Sequence, residues 1–379
     1  MALTIDTLTD IRDCSPLKGE WNSLVRESRT SSPFLTWEWL HTWWTHFGGS
    51  MRLSITIVRE DGELIAIAPL RVARNRWSLF PRLEFLGTGF VGADYLDVIV
   101  RPGREDDAVR AIAESAGSKR LPFHLDHLTP DCAASRLVRP LEESGWSSRR
   151  TVSGVCPFFR LSGHTFDSYL ATLGSPHRAN VRRRQRNLWR QFDVEFAMVS
   201  GDSERRAVLQ TLITLHNQRW EKRGGSTAFF SRALRSFHEE FTSQALEAGW
   251  LRMFVLRLDG KAAAAIYCLS YHGRYYFYQG AFDEELSPHS IGLVMMGLAI
   301  QRAIEEGATE FDMLYGNEPY KSLWANDERV LQRIDLCPPH LRGRVHQSKL
   351  DAERTARAIV RTVLRRKGPC HARVAGAIS

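Results

Sequence analysis

The clearest pattern of apolar and polar positions lies between residues 250 and 324. Two apolar runs, at 251–258 and 262–271, flank the pair Asp259-Gly260. Such a pair between apolar runs predicts a β-hairpin, because both turn residues adopt positive φ. After a second reversal, an aromatic-rich strand is predicted over residues 274–279. The stretch is therefore predicted to begin with three antiparallel strands.

A helix is predicted directly after these strands. Ser287 stands where a helix cap is expected, and Pro288 fits the first helical position. Apolar residues then recur at helical spacing as far as Gly307, a typical stop residue. Residues 310–314 form the next predicted strand, and the polar segment 315–324 follows it.

A second hairpin, in the first half of the chain, repeats the first one. Asp61-Gly62 joins apolar strands at 53–58 and 64–72, and two helices precede each hairpin. Repetition of this kind indicates two similar α/β lobes instead of one large domain. The first lobe lacks a counterpart of the Ser287-Pro288 helix start, so it is predicted to be mainly scaffold.

Composition narrows the class of protein. No apolar run in the 379 residues is long enough to span a bilayer, and no signal-peptide pattern opens the chain. The six cysteines are scattered without a CxxC pair, which favours reduced thiols and gives a zinc site no support. The expected location is therefore cytoplasmic.

The net charge of +8 belongs to the end of the chain. Ten basic and two acidic residues follow residue 340, so residues 1–340 are neutral overall. The pattern over residues 352–367 predicts a helix with a narrow apolar side and arginines around the rest. Such a helix suits peripheral contact with an anionic membrane surface, and a solvated or disordered tail is the open alternative.

An arginine-rich helix is predicted between the lobes, at residues 175–192. Arg178, Arg182, Arg186 and Arg190 recur every four residues, and like charges at that spacing repel each other. They need carboxylates, an anionic ligand or solvent nearby. Arg178 and Arg182 are accordingly candidate contacts to a phosphate or an acceptor, with a solvated helix face as the alternative.

These features together resemble the GNAT acyltransferase fold, and more closely its bacterial CelD/BcsL-type branch, which is related to FemAB and FemX. Three groups of residues carry the resemblance: Phe311-Asp312 followed by Gly316, Glu318, Pro319, Tyr320, Lys321 and Trp324; the helix beginning His177-Arg178; and His216 with Arg219-Trp220 and Lys222-Arg223-Gly224. It covers residues 165–335 well and the first half of the chain more loosely.

The resemblance implies a fold class and a division into domains. It implies an α/β (α+β) chain of tandem GNAT-like lobes, each a mixed, largely antiparallel sheet flanked by helices. Residues 1–162 are then the scaffold lobe, residues 163–340 the acyltransferase lobe, and residues 341–379 a basic helical or disordered tail.

The resemblance also implies acetyl-CoA or another acyl-CoA as co-substrate, and no metal. Backbone N–H groups at a helix start suit the pyrophosphate of coenzyme A. The predicted contacts are Ser287, His289, Ser290, Ile291 and Gly292. The family pattern there is Gln or Arg, two residues, Gly, one residue, then Gly or Ala. His289 and Val294 depart from this pattern, so an ordinary capped helix stays an alternative.

Candidate catalytic residues lie in and just before the polar segment. Glu318 is the predicted general base, because a loop carboxylate is open to an approaching acceptor. Tyr320 is implied by the resemblance as the acid that protonates the leaving thiolate. Asp312 is a further candidate, with a structural carboxylate as the alternative. Lys321 is a candidate contact to an anionic substrate group, and His216 is a second base candidate at the substrate.

The leading prediction is an N-acyltransferase that acts on an amine acceptor, a small molecule or a glycan, in envelope polysaccharide metabolism. The first alternative is a FemX-like transfer of an amino acid from aminoacyl-tRNA, and no DNA partner is expected. The second alternative is a non-enzymatic binding protein of envelope assembly. The sequence does not identify the acceptor, because acceptor pockets are built from loop side chains that follow no fixed spacing.

Overall fold

The computed structural model describes residues 2–49, 51–74, 80–89, 91–221, 229–341, 343–345 and 347–348. In this described part, one mixed sheet of thirteen strands runs through both halves of the chain. The helix predicted over residues 352–367 lies outside the described residues, as does Lys222-Arg223-Gly224.

The first half of the chain alternates strands with four helices in the described residues. The strands are β1 (Leu3–Leu8), β2 (Arg52–Glu60), β3 (Glu63–Ala73), β4 (Arg82–Phe85), β5 (Ile99–Val100), β6 (Phe123–Leu128) and β7 (Ser147–Arg160). The helices are α1 (Lys18–Glu27), α2 (Trp37–Phe47), α3 (Glu105–Ser118) and α4 (Val138–Glu143).

The second half carries the longer helices. They are α5 (Phe166–Thr172), α6 (Ser175–Gln191), α7 (Asp202–Glu221), α8 (Arg232–Glu247) and α9 (Ile291–Glu305). The strands are β8 (Val194–Met198), β9 (Leu251–Leu258), β10 (Lys261–Tyr271), β11 (Arg274–Phe282), β12 (Glu310–Asp312) and β13 (Asp327–Cys337).

Both Asp-Gly hairpins are confirmed. Asp61 and Asp259 have φ of 48° and 50°, and the glycines that follow them have φ of 90° and 77°. Positive φ at both central residues gives the turn the twist that joins two antiparallel strands. β2 pairs with β3 around the first turn, and β9 pairs with β10 around the second.

The two halves of the chain interleave at the centre of the sheet. The strand order is β1-β2-β3-β4-β6-β13-β7-β12-β11-β10-β9-β8, with β5 beside β3. β13 enters the first half, where Ile334 pairs with Leu125 of β6 and Arg150 of β7. β7 in turn pairs with β12 of the second half. The sheet is therefore continuous across residue 162, and the predicted domain division stays a prediction.

Helices cover the sheet and join the two halves. α2 of the first half packs on α8 of the second, where Trp39 makes edge-to-face contacts with Phe237 and Phe241 at centroid distances of 5.0 and 4.7 Å. α9 packs on β10 and β11 and buries most of its length. The predicted class, a mixed sheet flanked by helices, is confirmed.

Two histidines lie buried on the α7 and α8 side of the sheet. His216 and His238 both contact the ring of Phe229, at centroid distances of 5.3 and 5.2 Å. Burial lowers the pKa of His238 to about 3. Burial and the neighbouring Arg219 lower the pKa of His216 to about 4. Both rings are therefore neutral in the folded protein at neutral pH.

We expect the free energy of unfolding to fall as the pH drops from about 6.5 to about 4.5. The unfolded chain protonates these rings near their ordinary pKa, but the folded pKa is depressed. The stabilising contribution is therefore complete above that ordinary value and is lost on acidification. Replacing His238 by Phe should remove roughly 2–3 kcal/mol of this pH dependence.

Chemical denaturation of both proteins at pH 7.5 and pH 4.5 measures the effect. The value at pH 7.5 isolates the packing change, because histidine is then neutral in both states. A difference between the two proteins that is the same at both pH values would contradict the assignment.

Candidate active site

A wedge-shaped opening separates the ends of β11 and β12. The two strands run parallel but pair only over residues 274–276 and Glu310–Asp312. Beyond that point the chain stays with β7, because the backbone N–H groups of Met313 and Gly316 donate to carbonyl oxygens of β7 at 2.9 and 3.0 Å. β11 meanwhile continues to Phe282. The edge of β11 that faces β12 is therefore unpaired from residue 277 to Phe282 in the described residues, and this stretch leads toward the start of α9.

The helix start predicted at Ser287 is wrong. Glu284–His289 forms a separate 3-10 turn, which Asp283 caps by accepting the N–H of Glu285 at 3.0 Å. Ser290 follows in the left-handed conformation, and α9 begins only after it. Asp283 and Ser287 are both residue types that cap helices well. Asp283 caps the 3-10 turn, and Ser287 lies inside that turn instead of capping α9.

The start of α9 presents backbone more than side chains. Ile291 is buried in the core, so only its backbone is available there. Gly292 lies against the ring of Phe282, where a Cβ would approach ring carbons to 3.0 Å. His289 packs edge-on against Phe192 at a centroid distance of 5.0 Å. The first N–H groups of a helix have no partner within it, so this end suits an anion.

Two arginines approach the start of α9. Arg184 of α6 donates from Nη1 to the carbonyl oxygen of Pro288 at 2.9 Å, and its buried Nε has no hydrogen-bond partner in the described part of the chain. Arg219 of α7 lies over the ring of Phe282 at 4.7 Å and 3.7 Å from the carboxylate of Glu284. Arg184 is a site residue that the sequence analysis missed. The sequence could have indicated it, because Arg184 lies three residues after Val181 and four before Leu188, on the buried side of α6.

Lys321 holds the polar loop that follows β12. Its side chain is only 4% exposed, and Nζ donates to the carbonyl oxygens of Leu314 and Tyr315 at 3.3 and 2.7 Å. It also lies 3.1 Å from the carboxylate of Glu318. These contacts favour a structural role for Lys321 over contact with a substrate.

Glu318 and Tyr320 lie at the surface of this loop. The side chain of Glu318 is 54% exposed, and Tyr320 is 42% exposed. Partial burial and the nearby Glu318 carboxylate raise the pKa of Tyr320, whereas Arg219 acts in the opposite direction. The structure therefore brings Tyr320 and Glu318 to the side of the opening where Arg219 lies. A raised pKa keeps the phenol protonated at neutral pH, as a proton donor must be.

Asp312 is fully buried at the closed end of the opening. It accepts hydrogen bonds from the Tyr95 hydroxyl at 2.6 Å, from Nη1 of Arg329 at 2.7 Å and from the N–H of Leu314 at 2.8 Å. Burial raises its pKa to about 6, while these donors act in the opposite direction. With its oxygens occupied in this way, the geometry favours the structural alternative for Asp312.

Three further predicted residues make contacts within the second half of the chain. Arg182 is exposed and paired with Asp167 of α5 at 2.7 Å, so a carboxylate offsets its charge. Arg178 donates to the carbonyl oxygen of Ala171 at 3.3 Å. His216 is buried beneath Arg219. The contacts named here do not involve the start of α9, and the substrate role of the three residues stays a prediction.

The first half of the chain also borders the opening. Tyr278 of β11 donates to the carbonyl oxygen of Val91, and the carboxylate of Asp94 accepts the N–H of Tyr315 at 2.8 Å. The segment 91–95 thus reaches from β11 to the loop after β12. The sequence offered no signal for this contact, because the partners lie far apart in the chain.

Within the described residues, no cluster of three histidine, cysteine or acidic side chains is arranged to hold a metal ion. Likewise, no helix in the described part combines the length and apolar character needed to cross a bilayer.

Comparison with known proteins supports the GNAT and FemX part of the resemblance, and the CelD/BcsL-type branch stays a prediction. Residues 175–322 match the acetyltransferase (GNAT) domain family. The fold is similar to a crystal structure of FemX, with a TM-score of 0.62 and 13% identity over 88% of this chain and 97% of FemX. No match was found among curated protein sequences.

Two further structures share the fold. One is the C-terminal domain of a putative lysylphosphatidylglycerol synthetase from Agrobacterium fabrum, with a TM-score of 0.54 and 12% identity over 89% of this chain and 96% of that one. The other is L-PGS from Bacillus licheniformis, with a TM-score of 0.53 and 14% identity over 89% of this chain and 95% of that one. The match of residues 175–322 to the acetyltransferase (GNAT) domain family supports an acyltransferase, and the chain shares the fold of FemX.

Proposed function

We propose that the protein transfers an acyl group from an acyl-CoA, with acetyl-CoA as the expected donor, to an amine. The observation that carries this proposal is the opening between β11 and β12, with the start of α9 and the Arg184 guanidinium at its wide end. An acyl-CoA is elongated and carries amide groups in its arm and negative charge in its pyrophosphate. The unpaired edge of β11 suits the amide groups, and the start of α9 with Arg184 suits the pyrophosphate.

The narrow part of the opening suits the pantetheine arm. β11 is unpaired on this edge beyond residue 276 in the described structure, and the N–H of Gly280 bonds to the side chain of Gln279 at 3.0 Å. An arm with two amide groups can use such an edge as a strand would. The thioester then lies beside the loop after β12, which carries Tyr320.

The wide end suits the pyrophosphate. The backbone of Ile291 and Gly292 opens α9, and the partial positive charge of a helix start favours an anion there. Arg184 adds a guanidinium whose Nε has no partner in the described structure. Tyr320 is the proposed acid toward the departing thiolate, because a phenol is protonated at neutral pH and this side chain is exposed on the loop after β12.

A second candidate donor is aminoacyl-tRNA. Arg186 and Arg190 of α6 are exposed, and the exposed Trp189 lies between them in the sequence. An aromatic ring among arginines suits contact with RNA. We rank this donor second, because residues 1–340 carry no net positive charge to support a large footprint on RNA.

The acceptor is proposed to be an amino sugar or a polysaccharide precursor, as in the CelD/BcsL-type branch. This proposal rests on the sequence resemblance around Gly316 to Trp324. Activity in the cytoplasm, with peripheral membrane contact through residues 341–379, is part of the same proposal.

A thermal-shift screen decides between the donors. A ligand that binds only the folded state raises the melting temperature, and the stabilisation grows with the logarithm of one plus the ratio of the free ligand concentration to Kd. Acetyl-CoA should raise it at concentrations where an aminoacyl-tRNA of any amino acid does not. The reverse order would replace the proposed donor with the second candidate.

We expect Arg184→Gln to weaken acetyl-CoA binding by about tenfold, because it removes a charge-assisted contact to the pyrophosphate. Arg186→Gln is the matched control, since it removes the same charge from an exposed position on the same helix. Isothermal titration calorimetry measures both. Equal affinities for the two variants would argue against a pyrophosphate at the start of α9.

We expect Tyr320→Phe to lower kcat by roughly 10²–10⁴-fold while acetyl-CoA affinity stays within about twofold, because only the proton donor is lost. Tyr315→Phe is the control: its hydroxyl makes one long bond, 3.3 Å, to the carbonyl oxygen of Ser153. Release of free thiol from acetyl-CoA gives the rate. A rate for Tyr320→Phe that matches the Tyr315 control would remove Tyr320 from the mechanism.

A further inference from the structure

A buried carboxylate of the first lobe organises a second polar centre beside the opening. Asp94 is only 2% exposed, and its two oxygens have different partners. Oδ1 lies 3.0 Å from Nδ1 of His127, and Oδ2 accepts the N–H of Tyr315 at 2.8 Å. One side chain thus joins β6 of the first lobe to the loop after β12.

His127 is held in a defined orientation by this contact. A carboxylate can only accept, so Nδ1 carries the proton and Nε2 is the nitrogen with a lone pair. The side chain is 26% exposed, and nothing in the described part of the chain hydrogen-bonds Nε2. The ring lies 5.5 Å from that of the exposed Tyr315. His127 therefore presents an oriented basic nitrogen at an accessible edge.

Backbone strain concentrates at the same place. Tyr95, His127 and Leu314 have φ of 58°, 59° and 55°, in the left-handed region that side chains disfavour. The other non-glycine residues with positive φ in the described chain lie in turns or at a helix end. His127 bonds to Asp94, and Tyr95 follows Asp94 in the chain. Leu314 precedes Tyr315, whose N–H bonds to Asp94. Strain of this kind persists where the surroundings hold a functional geometry.

This centre adjoins the opening between β11 and β12. The segment 91–95 is fixed at one end by Tyr278 of β11, which donates to the carbonyl oxygen of Val91. It is fixed at the other end by Tyr95, which donates to Asp312 at the end of β12. Asp94 lies between these two anchors, so His127 is linked through Asp94 to the segment that borders the opening.

We propose that Nε2 of His127 is the base that deprotonates the acceptor amine, with Asp94 as the residue that positions it. This inference rests on the acyl transfer proposed above. The predicted base, Glu318, is instead held by Lys321 at 3.1 Å. The two lobes would then divide the proton transfers, with the base on the first and the acid, Tyr320, on the second.

The proton balance of the step is complete. The acceptor ammonium gives one proton to Nε2, and the free amine attacks the acyl carbon to form the C–N bond. As the C–S bond breaks, the electron pair leaves with sulfur, the nitrogen loses its second proton, and the thiolate takes one proton from the Tyr320 hydroxyl. Tyr320 is reprotonated by the proton that nitrogen loses, and His127 releases its own proton to solvent.

The charges around His127 suit this role. Burial opposes protonation of the ring, but the hydrogen bond and charge of Asp94 outweigh it, Asp126 adds to them, and the pKa of His127 is raised. Arg333 of β13, which pairs with Asp126, acts in the opposite direction. A base with a raised pKa is more able to take a proton from an ammonium group.

The test compares two histidines of the same strand. His124 also bonds an aspartate, with Nδ1 2.6 Å from Oδ1 of Asp335, but that aspartate belongs to β13 and not to segment 91–95. His127→Asn keeps a residue that tolerates the left-handed backbone, and His124→Asn is the matched control. Thiol release from acetyl-CoA is measured against pH with glucosamine, lysine and ethanolamine as amine probes.

We expect kcat/KM of His127→Asn to fall roughly 10²–10⁴-fold and to lose the rise with pH that the base gives the wild type. Acetyl-CoA affinity should stay within about twofold, and His124→Asn should keep the wild-type profile. In His127→Gly, which accepts the left-handed backbone without a side chain, added imidazole should restore part of the rate. A purely structural histidine would not respond to imidazole.

The outcomes separate this inference from the proposed function. If the wild type turns over and His127→Asn matches His124→Asn in rate and pH profile, the inference is overturned and acyl transfer stands. The same holds if Glu318→Gln, and not His127→Asn, removes the rise with pH. If the wild type releases no thiol with any probe and does not bind acetyl-CoA, the proposed function fails, and the inference fails with it. Imidazole rescue keeps the test decisive even if His127→Asn does not fold.

Discussion

The hydrogen bonds and ion pair of the buried Asp312 carboxylate hold the two halves of the chain together. It joins Tyr95 of the first half to Arg329 of β13, while β12, which carries it, pairs with β7. Removing one partner of a buried ion pair typically costs about 3–5 kcal/mol, because the other charge stays buried and uncompensated. An exposed pair such as Arg182 with Asp167 contributes only about 0–1 kcal/mol. The placement of segment 91–95 therefore follows from one buried network.

The loop after β12 owes its shape to two glycines. The ring of Tyr315 lies where a side chain of Gly154 would be, since a Cβ there would meet Cε2 at 2.1 Å. Gly316 has φ of 124°, and a Cβ there would be 2.3 Å from Oε2 of Glu318. Lys321 then ties the loop to its own carbonyl groups. The loop therefore keeps its shape through close packing against glycine backbone, and Tyr315 and Tyr320 remain exposed on it.

Local chemistry made part of this structure predictable. The Asp-Gly hairpins were predictable because positive φ at two adjacent residues is a property of the turn itself. The start of α9 was not, because Asp283 and Ser287 both satisfy the capping pattern and only the packed chain selects between them. The entry of β13 between β6 and β7, and the contacts of Asp94 and Tyr95, join residues about 200 positions apart. No spacing in the sequence encodes such contacts, so the first lobe's part in the site could not be predicted.

The acidic residues near the start of α9 bear on whether this end can hold an anion. Asp283 is occupied as a cap, because its carboxylate accepts the N–H of Glu285. Glu284 lies 3.7 Å from Arg219, a partly exposed pair of a kind that contributes about 0–1 kcal/mol. A pyrophosphate offers a guanidinium two parallel charge-assisted bonds, which are roughly twice as strong as neutral ones. In the proposed donor complex, the pyrophosphate would replace the Glu284 carboxylate as the partner of Arg219, and Arg184 would contact the same group.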